Sequence, residues 1–341
     1  MENIKLVIDT YGGDNGPEEV ILGSKMALKK TPDLTLILVG KSQEIEPLLQ
    51  KHDVDKNRVQ VVDAQDVISN EDIPTVAIKT KTESSLVKAF DLLKNDETVQ
   101  GLVSAGSTGA VLTGGFLKIG RIKGVSRPVL APAMPTFKGT PVLLTDSGAN
   151  MDCKPINLLH FALMANTYAQ TIFGIKNPRV ALLSVGTEEH KGNELVKKAF
   201  PHMKQLPINF VGNMESRDLL SGDYDIVVCD GFAGNVALKS CEGTAQILMK
   251  SLKQDIMSHT TSKIGALFMR GTFKRLKARF DYNHLGGSPF LGINKIVVKC
   301  HGSSKCENFC QSILQTYNLC KNKMVEKISN GIGNLDIKIE E

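Results

Sequence analysis

The chain has 341 residues, 42% of them apolar, with a mean hydropathy of −0.07 and a formal charge of +5. That length fits one α/β domain over 1–341, with room for two lobes, and the composition is that of a soluble globule. The mild charge argues against a polyanion-coating protein, no apolar run reaches the ~18 residues of a membrane span, and seven cysteines leave one outside any closed disulfide framework.

The opening MENIKLVIDTYGGD passes straight into a strand at 4–8 and lacks a signal peptide's apolar region, so a reducing cytoplasm is the expected compartment. A helix follows over 17–30, opened by Pro17 and Glu18, then strands at 34–39 and 59–62. Ser84 caps a helix over 85–94, and strands are predicted at 101–104, 128–133 and 141–145. Lys154-Pro155 opens a helix over 155–172; a strand at 179–185, a helix at 191–200, and strands at 208–211, 225–229 and 295–298 complete the alternation. The last dozen residues, NGIGNLDIKIEE, read as a frayed or strand-like tail. Strands alternating with helices predict right-handed βαβ units and a mostly parallel sheet covered on both faces.

Four stretches share one pattern: LVSAGSTGAVL (102–112), VLLTDSGAN (142–150), VALLSVGTEEHKGNELV (180–196) and IVVCDGFAGNVAL (226–238). Each runs an apolar strand into a Gly-rich polar loop and then a helix. Such loops offer free backbone N–H groups and a positive helix end, and glycine lets the backbone approach an anion closely. Four of them at strand ends of one α/β chain can converge on a single crevice. The glycines lack GxGxxG with an acidic residue some 20 positions on, which argues against a dinucleotide. No aromatic-interleaved basic stripe suggests nucleic acid. Cys300, Cys306, Cys310 and Cys320 lack the paired spacing of zinc modules and read as scattered thiols, so no metal is expected.

The segment 245–281 differs in character. Eight cations, among them Arg270, Lys274 and Lys277, stand against Asp255 and Asp281, a net +6. Met269, Phe273, Leu276 and Phe280 recur at steps of four, three and four, one face of a helix flanked by basic residues. That pattern suits contact with an anionic lipid surface, an acidic carrier protein or a dimer mate.

The ordered blocks IDTYGGDNGPEEV, SAGSTGA, GVSRPVLAPAMPT, TDSGANMDCKP, NPRVALLSVGTEEHKGNEL, NFVGNMESRDLLSGDYDIVVCDGFAGNVALK, GGSPFLGI and HGSS resemble the bacterial phosphate acyltransferases of phospholipid synthesis, the PlsX family. The resemblance runs from Ile8 to about Ser304. It implies transfer of a fatty acyl group from acyl carrier protein to inorganic phosphate, forming acyl phosphate. It further implies a Rossmann-like α/β/α sandwich related to phosphotransacetylases and to isocitrate and isopropylmalate dehydrogenases. A homodimer at the membrane surface, with access to a downstream membrane acyltransferase, would follow. The chain departs from the family pattern at Thr10-Tyr11, Glu83, Ser107 and Ser216; Ser107, in place of the usual Asn, is closest to the expected anion.

The implied chemistry needs no cofactor and no covalent nucleophile. Phosphate is largely ionised at neutral pH, and a thiolate leaves readily, a free thiol having a pKa of about 8.5. The protein must hold an anion beside a carbonyl and stabilise the oxyanion that forms. Lys191, at the start of the HKGNEL helix, is either the cation that pairs with phosphate or a solvated lysine. Asn235 is a donor to phosphate or oxyanion, or a helix cap. Gly106, Ser107, Thr108 and Gly109 form an anion cradle or a plain tight turn. Asn193, Asp146, Asp230 and His301 contact substrate or support those that do, with structural roles favoured for the carboxylates. Rival readings are a phosphotransacetylase-like enzyme using coenzyme A thioesters and a non-catalytic carrier-docking membrane scaffold.

Overall fold

The computed structural model describes residues 3–279 and 285–333. Five strands form the first part of the chain: β1 (Ile4–Asp9), β2 (Leu34–Gly40), β3 (Val59–Asp63), β4 (Val99–Ser104) and β5 (Val129–Leu130). The next five are β6 (Ala133–Met134), β7 (Val142–Thr145), β8 (Arg179–Ser184), β9 (Asn209–Glu215) and β10 (Ile226–Val228); β11 (Ser288–Leu291) and β12 (Ile296–Lys299) come last. They build two sheets, one of seven strands ordered β3-β2-β1-β4-β12-β11-β5 and one of five ordered β6-β7-β10-β8-β9. Parallel pairing dominates both; only β11, flanked by β12 and β5, and the β6–β7 pair run antiparallel.

Helices cover these sheets: α1 (Gly16–Lys30), α2 (Ser42–Lys51), α3 (Pro74–Thr80), α4 (Ser85–Asn95), α5 (Thr108–Gly114), α6 (Pro155–Tyr168), α7 (Glu194–Met203), α8 (Gly231–Ser258), α9 (Thr260–Phe268), α10 (Arg270–Arg279), α11 (Cys306–Lys321) and α12 (Met324–Gly333). The near-continuous Val/Ile/Leu runs of β1, β2 and β10 follow from this cover, because a parallel strand with helices on both sides has no solvent face. α6 carries the idea furthest. Leu158, Leu159, Phe161, Ala162, Leu163, Met164 and Ala165 are all buried, along with Asn157, His160 and Asn166, so this helix is buried on nearly every face. Its cluster joins Val129, Leu291 and Val298 of the larger sheet to Leu143, Val180 and Val228 of the smaller. Each such side chain contributes roughly 1.5–3 kcal/mol on burial.

Three expectations need correction. The segment 128–133 is not one strand: β5 pairs with β11 in the larger sheet and β6 pairs with β7 in the smaller. Pro128, Pro132 and Pro135 interrupt the run, and a proline cannot donate to a ladder, so the chain changes sheets there. The helix expected over 191–200 begins at Glu194. The basic segment is not one helix either, since α8 ends at Ser258, α9 at Phe268, and Met269 stands at the break before α10. Phe280, Asp281 and the tail beyond Gly333 lie outside the described residues, whereas 330–333 belong to α12.

Candidate active site

The C-terminal ends of β1, β4 and β12 are neighbours in the larger sheet, and those of β7, β10 and β8 in the smaller. All four Gly-rich stretches singled out in the sequence therefore end at these edges, one on the larger sheet and three on the smaller. A crevice of about 500 Å³ opens where the two sets of loops face each other. Thr108, Lys299, His301, Ser303 and Ser304 line it from the larger sheet; Ser147 and Asn235 line it from the smaller. Leu130, Pro132, Leu238, Met249 and Leu276 supply an apolar wall.

Two buried carboxylates fix the loops. Asp9, 1% exposed, accepts from Ser104 Oγ at 2.7 Å and from the Tyr11 N–H at 3.3 Å, and Ser104 Oγ in turn accepts from the Gly106 N–H at 3.0 Å. Burial pushes the Asp9 carboxyl above the ordinary value, against these hydrogen bonds. The loops interlock so closely that a Cβ on Gly12 would lie 2.4 Å from the Gly106 nitrogen. Asp146 is 0% exposed and accepts from the N–H groups of Leu130 (3.1 Å), Ser147 (2.7 Å) and Asn150 (2.6 Å), and from Asn150 Nδ2 (2.9 Å). Because Leu130 lies on β5, this one side chain ties the two sheets together at the crevice. Burial raises its pKa too, opposed by that ring of donors. Both of its oxygens are thus taken up by donors of the loop and of β5.

The helix starts settle several open alternatives. Asp230 caps α8 by accepting from the Ala233 N–H at 2.7 Å. Asn235, one turn further on, is therefore not the cap; its side chain lies against Gly148, faces the crevice and has no hydrogen-bond partner among the described residues. Asn193 caps α7, accepting from the Val196 N–H at 3.0 Å, so its oxygen is committed to the helix. Ser107 caps α5 by accepting from the Ala110 N–H at 3.2 Å, which leaves its own hydroxyl proton free to donate. Gly106 spends its N–H on Ser104, but those of Ser107, Thr108 and Gly109 find no partner among the described residues. Only Thr108 of this loop lines the crevice.

Lys191 does not open a helix. It sits in the exposed loop between β8 and α7, at the same sheet edge as Asn235 but outside the crevice lining. Asn213 Nδ2 steadies that loop through the Glu188 carbonyl at 2.9 Å. His301 does line the crevice. Its Nδ1 accepts from the Ser303 N–H at 3.3 Å, which leaves a ring proton on Nε2, and burial together with Lys299 and Lys239 lowers its pKa. The turn carrying His301 is clasped by Asn15, whose Nδ2 donates to the carbonyls of Ser303 and Ser304 at 3.0 Å, and by Asp14, whose N–H donates to Gly302 O at 2.8 Å. Asp14 is thus a tie between the two loops.

Sequence reasoning passed over Lys299 and Lys239, both of which line the crevice. The available signal was a lysine ending the apolar run IVVK at the C-terminal end of a parallel strand. Among the thiols, burial, with Asp146 and Asp230 nearby, pushes Cys153 up to about 12, which disfavours its thiolate. Cys229, Cys300 and Cys310 are buried.

Beyond the crevice, α8 to α10 expose Ile247, Leu248, Met257, Ile264, Leu267 and Phe268. Phe273 and Leu276 are half-buried, and Leu276 reaches the crevice; Arg270 and Lys274 are exposed. The side chain of Lys277 lies outside the described residues. Among those residues no helix is long and apolar enough to cross a membrane.

The fold and sequence have clear relatives. Residues 4–327 match the family model described as fatty acid synthesis protein. The phosphate acyltransferase of Clostridium acetobutylicum is 45% identical over 331 residues, covering 97% of this chain and 99% of the relative. That of Caldanaerobacter subterraneus subsp. tengcongensis is 46% identical over 329 residues, 96% of this chain and 97% of the relative. Among solved structures, a phosphotransacetylase from Streptococcus pyogenes aligns over 94% of both chains with a TM-score of 0.62 at 18% identity, and one from Staphylococcus aureus over 95% and 94% with 0.58 at 19%. These two share the fold. By the family match and the full-length relatives, the chain belongs to the phosphate acyltransferase family and is an acyltransferase.

Proposed function

We propose that the protein transfers a fatty acyl group from acyl carrier protein to inorganic phosphate, in the crevice between the two sheets. The observation that carries this reading is the crevice lining: polar donors and cations at the strand ends, beside an apolar wall of Leu130, Leu238, Met249 and Leu276. A reactant with an anion at one end and a hydrocarbon at the other matches that division. A phosphate oxygen attacks the thioester carbonyl carbon, the C–S bond breaks, and the proton of hydrogen phosphate ends on the departing thiolate. The products are acyl phosphate and free carrier thiol. Asn235 and the His301 Nε2–H are the donors for the developing oxyanion or the phosphate; of the Gly106–Gly109 loop, Thr108 reaches the same space. Asn193, Asp146 and Asp230 hold the loops. Lys191 is the rim cation on the smaller sheet that draws anionic reactants in.

The arm formed by α8 to α10 is the proposed contact for acyl carrier protein, an anionic membrane surface or a second copy of the chain. Its exposed apolar side chains with flanking Arg270 and Lys274 favour such a surface. The test of the reaction is acyl phosphate formation from matched long-chain acyl carrier protein and acyl coenzyme A. Faster turnover with the carrier-bound donor is expected. Equal or better use of coenzyme A thioesters would point to a phosphotransacetylase-like donor choice, and no acyl phosphate from either would remove the reading.

A further inference from the structure

Of the two crevice lysines, Lys239 is neutralised by Glu242 at 2.6 Å, but Lys299 has no carboxylate within ion-pair distance among the described residues. Its Nζ donates to the Cys300 carbonyl oxygen at 2.8 Å, which uses one of three ammonium donors and neutralises nothing. Burial lowers its pKa below that of an ordinary lysine, with the neighbouring Cys300 opposing most, the Lys239 ammonium adding to the push, and Asp14 and Glu242 opposing it from a distance. A half-buried cation without a counter-charge weakens the fold. Such a group is retained where an anion arrives from outside. Its position is also rigid: β12 is paired with β4 in parallel and β11 antiparallel, and the Cys300 N–H continues the ladder to Ser104 O at 2.8 Å. His301, on the same turn, presents its Nε2–H to the same crevice.

We propose that Lys299 is the cation that holds inorganic phosphate in this crevice, with the His301 Nε2–H beside it. The assignment names the phosphate subsite of the reaction proposed above and rests on that reading. It makes β12 of the larger sheet the source of the phosphate-holding charge, facing Asn235 of the smaller.

The test replaces Lys299 with Met, and with Gln should the Met variant not fold, and measures inorganic phosphate affinity by calorimetry, the melting temperature and both KM values. Phosphate affinity should fall about ten-fold or more, the fold-change of losing one charge-assisted contact. The melting temperature should hold or rise, because an unpaired buried charge has been removed. The donor KM should stay within about two-fold, and Lys299→Arg should recover part of the phosphate affinity. Unchanged phosphate affinity in a folded variant, or a wild type that does not bind phosphate, overturns the assignment. A raised donor KM with an unchanged phosphate KM overturns it as well, by placing Lys299 on the donor. If the wild type binds phosphate through Lys299 yet forms no acyl phosphate, the subsite stands and the proposed reaction falls.

Discussion

Gly234 and Gly243 lie on one helix, α8, and meet opposite surroundings. A Cβ on Gly234 would sit 1.8 Å from the Asp146 carbonyl oxygen and 2.8 Å from Cys229 Sγ, whereas one on Gly243 meets nothing within 4 Å. Gly231, also in the first turn, would press on Asn150 O at 2.7 Å. The start of α8 is therefore clamped against the Asp146–Asn150 loop, and that clamp sets where Asn235 points. Further along, Ile247, Leu248 and Met257 are 67%, 63% and 57% exposed. One helix thus serves as part of a rigid site at its start and as an arm at its end. The site's geometry comes from backbone packing within the chain, while Ile247, Leu248 and Met257 of the arm stay largely exposed.

The sharpest way to break this contrast is the same substitution at both places. Gly234→Ala should drive α8 off the loop, cost about 3 kcal/mol by overpacking and remove most activity. Gly243→Ala should raise stability by up to about 1 kcal/mol and leave turnover unchanged. Urea unfolding and a turnover assay of each variant read both effects, and a shared sign would end the distinction between clamp and arm. Next in size, Lys191→Ala should lower turnover about ten-fold, equivalent to about 1.4 kcal/mol, without changing the melting temperature; near-normal activity would strip Lys191 of its rim role. On the arm, joint replacement of Arg270, Lys274 and Lys277 by Glu should weaken binding to acyl carrier protein or anionic vesicles several-fold, with the crevice chemistry intact. Unchanged binding of both would leave the arm's basic residues without that function.

The smallest effect concerns acid. Asp63, at the end of β3, accepts from the Ser42 N–H, Ser42 Oγ and Gln65, and its pKa is lowered to about 2, with the Gln65 side-chain hydrogen bond the leading cause. Its folded value lies below the unfolded one, so its contribution is present above the unfolded pKa and is lost as pH falls through about 2. Asp63→Asn should therefore lose less stability than the wild type between about pH 5 and about pH 2. An identical acid profile would show that the strand-end loops do not hold this sensitivity.

Much of this architecture was legible because β1, β4, β7 and β10 run into Gly-rich turns, and Ser84 and Pro155 mark helix starts. What was not legible depended on distant partners. β11, in GGSPFLGI, is too short and too broken by Gly286, Gly287 and Pro289 to show as a strand, and it exists because Phe290 and Leu291 pair with Leu130 and Val129. The division into two sheets likewise depends on which strands pair, and Pro132 marks the crossing only once β6 and β7 are seen together. In the site, a cap and a ligand-facing amide look alike in sequence: Asn193 proved to be a cap, and Asn235 did not, because Asp230 holds that place. Lys299 becomes noticeable only when the crevice shows it to be half-buried without a carboxylate partner.

The central claim is that phosphate attacks the carrier-bound thioester in the crevice framed by Asn235, Thr108 and His301. The most direct measurement follows free thiol release from long-chain acyl carrier protein with and without inorganic phosphate, in the wild type and in Asn235→Ala. The account predicts release that depends on phosphate, is accompanied by acyl phosphate, and falls about ten-fold or more when the Asn235 donor is removed. Thiol release that is independent of phosphate, or that is unaffected by Asn235→Ala, would contradict it.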